Sequence, residues 1–150
     1  MRYFKLAIIS MLLLAFTVGC STSHSVQTAS TKALTTALND ELTSIEHISY
    51  SFTRPDLTIH VRLNEALNLY NEEVILYHVK QFASVENLNE IAKSVKWGLE
   101  ISEIHLNIYE PSIKKPVSQY YTKYFNTYDA SNYSIENIDG YNTWFKLSLN

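Results

Sequence analysis

Two histidines carry most of the chemistry this sequence offers. His60 lies in a run where Leu57, Ile59, Val61 and Leu63 alternate with polar residues, and His105 lies in another where Ile104, Leu106 and Ile108 alternate. Side chains along a strand point to opposite faces in turn, so both imidazoles face away from the apolar side. On neighbouring strands they would share an open face with Arg62, Glu103 and Asn107. Two imidazoles and a carboxylate can hold Zn²⁺, and a histidine within reach of a nucleophile can serve as a general base in a small hydrolase. Neither His-x-x-x-His nor paired-cysteine spacing is present, however, and Arg62 would repel a cation. Solvated or hydrogen-bonded imidazoles are the simpler reading. His60 and His105 are therefore metal candidates only, with no cofactor expected and no catalytic residue assigned. The acidic pair Glu72-Glu73 opens a helical stretch, where complementing the helix dipole explains it. No Gly-x-Ser-x-Gly elbow occurs.

The second feature is tyrosine. Seven of the eleven tyrosines fall between Tyr109 and Tyr141. Tyr120 and Tyr124 share strand parity with Ser118 and Thr122, which suggests an exposed aromatic face together with Tyr109. Tyrosine gives contact area at low entropy cost and anchors interfaces. It also suits a half-wet strand with no binding role.

Composition excludes several classes. Only Gly19, Gly98 and Gly140 occur, so no glycine cluster can cradle a phosphate. The net charge is −3, and the longest basic run is Lys114-Lys115. Such a surface repels nucleic acid and anionic headgroups. Cys20 is the single cysteine, so no intramolecular disulfide forms.

Cys20 ends a leader of recognisable build. Arg2 and Lys5 precede thirteen mainly apolar residues, Leu6 to Val18, and Gly19 follows. A spanning helix needs about 20 apolar residues, so this run suits a signal-peptide core. The segment Thr17-Val18-Gly19-Cys20 resembles the lipobox of bacterial lipoproteins, with Thr17 standing where leucine is usual. The resemblance implies cleavage after Gly19, acylation of Cys20, export, and attachment to a cell membrane. Ser21 lacks the aspartate character that often marks inner-membrane retention, which leaves the outer membrane open in a two-membrane bacterium. An ordinary secretory peptide is the competing reading. Loss of the leader removes two basic residues and takes the charge to −5.

These residues must be positioned by the remaining chain, which is long enough for one domain. Residues 20–31 are small and polar and read as a lipidated cysteine plus a flexible spacer, leaving 32–150 as the domain. Leu34, Ala37, Leu38, Leu42 and Ile45 recur at helical spacing, with Ser30 or Thr31 as cap. Ile48–Phe52 and Leu57–Leu63 read as a hairpin around Arg54-Pro55-Asp56. Residues 64–98 are helical in pattern, with Asn71 and Asn87 as caps, as one kinked helix or two. Strands follow over 101–109 and 116–125, then a long loop over 126–140 and a last strand with Phe145, Leu147 and Leu149 on one face. The order α-β-β-α-β-β-β predicts an α+β domain, mainly antiparallel, with helices on one face. The leading expectation is a non-enzymatic envelope lipoprotein that binds an envelope protein or a wall polymer. A small hydrolase or metal-binding protein, and an inhibitor or immunity-type lipoprotein, are the alternatives.

Overall fold

The computed structural model describes residues 22–148. The leader, Cys20 and Leu149 lie outside the described residues. The elements run β1 (Ser23–Ser25), α1 (Ala29–Glu41), β2 (Ile45–Thr53), β3 (Asp56–Leu63), α2 (Leu69–Phe82), α3 (Val85–Ser94), β4 (Glu103–Tyr109), β5 (Ser118–Lys123), a short 3₁₀ turn (Ile135–Asn137) and β6 (Trp144–Lys146). The six strands form one sheet in the order β1-β2-β3-β4-β5-β6. Only β3 and β4 pair in parallel, because α2 and α3 carry the chain back across between them. All other neighbours are antiparallel. The architecture is α+β.

Alternation decides which side the helices occupy. Leu57, Ile59, Val61, Leu63, Ile104, Leu106 and Ile108 are all at 0 % exposure, while the residues between them are half-buried. Leu34 and Leu38 of α1, Ile75 and Val79 of α2, and Leu88 and Ile91 of α3 join them in one core. A helix laid on the opposite face would cover His60, Arg62 and Asn107 instead, and would strand its own apolar stripe against polar groups.

Several boundaries differ from the sequence reading. The expected spacer is partly folded. Ser23–Ser25 pairs with Ser51–Thr53, Val26 is 2 % exposed, and Thr28 caps α1 through a capping box with Thr31. A polar edge strand needs only backbone bonds to its neighbour, so its composition matches that of a linker. Asn68 and Ser84, not Asn71 and Asn87, accept from the first turns of α2 and α3. Glu90 of α3 accepts from Ala29 N and Ser30 N at the start of α1, where a carboxylate complements the dipole. Ile45 belongs to β2 rather than to the first helix. In β6 the helix-facing residues are Trp144 and Lys146, and Phe145 points to the open side opposite Tyr121.

One polar contact ties helix to sheet edge. Glu72 Oε1 accepts from Ser118 Oγ at 2.5 Å, Tyr120 Oη at 2.9 Å and Lys146 Nζ at 2.7 Å. Burial would raise this carboxyl, but the three hydrogen bonds and the Lys146 charge outweigh it and hold it below the usual glutamate range. A depressed folded value means the contribution is complete above the ordinary glutamate pKa and fades as pH falls through the folded value. Glu72→Gln is expected to lose about 2 kcal/mol, read by urea denaturation at neutral pH. The gap between variant and wild type should close on acidification.

Candidate functional site

The side chains that alternate away from the core build one uncovered surface. From β2 come Ser49 and Ser51, from β3 Thr58, His60 and Arg62, from β4 Glu103, His105, Asn107 and Tyr109. From β5 come Gln119, Tyr121 and Lys123, and from β6 Phe145. Among the described residues no element packs over them.

Register sorts these groups into rows across the strands. His105, Tyr121 and Phe145 are successive cross-strand partners. Their rings are nearly parallel, at 6.3 Å and 23° for the first pair and 5.1 Å and 26° for the second. The next row sets His60 beside Asn107 and Asn107 beside Gln119, and the two amides are bonded at 2.8 Å. In the third row the Arg62 guanidinium lies 5.0 Å from the centre of the Tyr109 ring. Arg62 also donates to the carbonyls of Glu110 and Ile113, at 3.1 and 3.2 Å. It thereby fastens the β4–β5 connection. Glu103 sits between His105 Nε2 at 3.2 Å and Lys123 Nζ at 3.7 Å.

His60 is bonded at both nitrogens, to Ser51 Oγ through Nε2 and to Tyr109 Oη through Nδ1, each at 3.2 Å. Burial holds its imidazole below the usual histidine range, so the ring is neutral at pH 7. The Ser51–His60 contact has the form of a base beside a hydroxyl nucleophile. It lies on a flat strand surface, though, where neighbouring backbone N–H groups are spent on the ladders and none is aimed as an oxyanion donor.

The sequence candidates are distributed unevenly. His60 and His105 share the face but stand two positions apart along the strands, since His60 opposes Asn107 and His105 opposes Thr58. Among the described residues no group of three or more His, Cys, Asp or Glu is placed to hold a metal ion. Tyr109 is on the open face. Tyr120 and Tyr124 are not, contrary to the exposed aromatic surface expected of them. Tyr120 reaches Glu72 on α2, and Tyr124 is 9 % exposed against Phe125 and Tyr141. The small polar residues that suggested a wet face, Ser118 and Thr122, are at 2 % and 0 % exposure beneath the helices. Tyr121, Lys123 and Phe145 take the exposed role instead. Cross-strand pairing of Ile104 with Thr122 and of Ile108 with Ser118 fixes that parity, and pairing cannot be read from one strand alone.

Hollows lie at the margins of this surface, one of them lined by Tyr121, Lys123 and Phe145 themselves. A groove of about 560 Å³ runs between α1 and the outer edge of β2, lined by Lys32, Thr35, Thr36 and His47 among others. Two hollows of about 110 and 120 Å³ flank Lys123 and Asn126 at one end of the sheet. No family model, curated protein or solved structure matches this chain.

Because the folded His60 resists protonation, its effect on stability is nil above the ordinary histidine pKa and turns unfavourable as pH falls through the unfolded value toward the folded one. NMR titration of the imidazole is expected to show a midpoint below the ordinary histidine value. Tyr109→Phe removes one partner and should cost about 1 kcal/mol.

Proposed function

We propose that this protein is a lipid-anchored component of a bacterial cell envelope that binds another envelope protein through the open face of its sheet. One observation carries the binding half of this reading. Among the described residues a six-stranded sheet buries one face under three helices and leaves the other, rich in aromatic and charged side chains, without a cover. Aromatic residues with arginine are the composition of interface anchors.

The chemistry of the face favours a protein over a wall polymer. Sugar rings stack on the faces of aromatic side chains. Here Tyr121 is flanked by His105 at 6.3 Å on one side and by Phe145 at 5.1 Å on the other, so its two faces are occupied and its edge is left for contact. Polar groups such as Asn107, Gln119, Glu103 and Lys123 supply a partner with donors, acceptors and both signs of charge, which set specificity more than affinity. An inhibitory or immunity-type role would use the same face.

The anchoring half rests on the lipobox-like segment ending at Cys20. Among the described residues no helix is long and apolar enough to cross a membrane; the proposed attachment is through the acyl chains on Cys20. Two such chains hold a protein firmly, at about 0.8 kcal/mol per buried methylene.

Both halves can be tested in cells. Labelled palmitate is expected to enter the wild-type protein and not Cys20→Ala, which should leave the membrane fraction. A photo-crosslinking residue at Tyr121 should give one discrete protein adduct, and the same residue at Tyr77, exposed on the helix side, should not. Equal yields at both positions would contradict a binding role for the open face.

A further inference from the structure

The tether and the strand directions together assign an orientation on the membrane. β1 begins at Ser23, which opposes Thr53. That end of the sheet also holds the Thr53–Asp56 turn, the start of β4 at Glu103, and the end of β5 at Lys123. Cys20 precedes Ser23 by three residues, a reach of at most about 11 Å. A protein held through Cys20 therefore keeps this end within about that distance of the bilayer. The opposite end, with Leu69, Tyr70 and Ile113, lies a strand length further out, roughly 23 Å for the seven residues of β4.

The near end displays apolar side chains on a braced loop. Tyr128 is 97 % exposed, Ile135 89 % and Leu99 61 %. Their backbone is not slack. The buried Asn137 accepts from Thr127 N and Oγ1, and donates to the carbonyls of Asp129 and Asn132. All four of its amide bonds are made within this loop. Tyr133 bridges to the other segment by donating to Glu100 at 2.6 Å and packs edge-on against Phe125 at 5.3 Å. Single exposed apolar residues are ordinary. Three, held by a braced loop and its neighbour at the end where the lipid enters, have an apolar layer within reach.

We propose that Leu99, Tyr128 and Ile135 enter the interfacial layer of the bilayer that holds Cys20, so that the strands stand upright and the open face looks sideways along the membrane. This rests on the lipid anchor proposed above. The contact is apolar and not ionic. The segments at this end carry three cations, Arg54, Lys96 and Lys123, against six carboxylates, Asp56, Glu100, Glu103, Asp129, Glu136 and Asp139. An anionic surface would repel that balance, whereas aromatic and aliphatic side chains partition into a zwitterionic interface. The lateral view also fits a partner embedded in, or attached to, the same membrane.

The test uses the full lipidated protein in phosphatidylcholine nanodiscs containing a small fraction of nitroxide-headgroup lipid, read by backbone amide NMR. Relaxation enhancement is expected to be several-fold stronger at residues 99, 128 and 135 than at 69, 70 and 113. Replacing part of the lipid with phosphatidylglycerol should not strengthen it. The variant Leu99→Ser/Tyr128→Ser/Ile135→Ser changes only exposed positions and should stay folded, with the contrast between the two ends much reduced. Attached protein with even enhancement, or enhancement at the far end, would overturn the orientation alone. Protein that does not remain with the lipid at all would overturn the orientation and the anchor together.

Discussion

One-sided burial is the constraint on which the rest of this structure depends. The parallel pair β3–β4 sits at the centre of the sheet, and its Leu57, Ile59, Val61, Ile104, Leu106 and Ile108 are fully enclosed. All three helices must meet that single apolar surface. The intervening positions hold imidazoles, amides, a guanidinium and hydroxyls, which no helix can cover without stranding polar groups. The open face is thus a direct result of the alternation that makes the core.

Polar contacts then stiffen what the core leaves loose. Glu72 links α2 to β5 and β6, Glu90 links α3 to the start of α1, and Arg62 fastens the β4–β5 connection. The Glu72 contact holds a strand that short pairing would leave weakly attached. β6 has three residues and β1 has three, and edge strands this short are marginal by themselves. On the open face the same economy of contacts satisfies His60, Asn107 and Gln119, so this surface is already ordered and the proposed docking would cost little entropy.

Much of the core was legible from period alone. Strong alternation at 57–63 and 104–108 gave β3 and β4, and the stripe Leu88, Ile91 and Ala92 gave α3. The open placement of His60, His105 and Tyr109 followed from the same alternation. What failed was information that resides in pairing. Tyr120 and Tyr124 take the helix side because Ser118 and Thr122, polar in type, pair with Ile108 and Ile104 and are buried with them. The shared face of Phe145 and Leu147 is legible in the sequence, but which side of the sheet it takes is set by the pairing of Phe145 with Tyr121. The Ser-His-Ser of β1 looks like spacer because backbone hydrogen bonds leave no mark on side-chain composition. The loop brace at Asn137 was invisible for a related reason. An asparagine among many reads as loop, and only the fold shows that this one gathers Thr127, Asp129 and Asn132.

An open face that serves binding must be spare to folding. Urea denaturation of Tyr121→Ser/Phe145→Ser tests it most directly. A cross-strand aromatic pair of this kind contributes about 1 kcal/mol, so a two-state transition displaced by roughly 1–2 kcal/mol is expected. A loss of about 4 kcal/mol or more, the size seen when large core side chains are truncated, would show that these rings hold the fold together, and would contradict it.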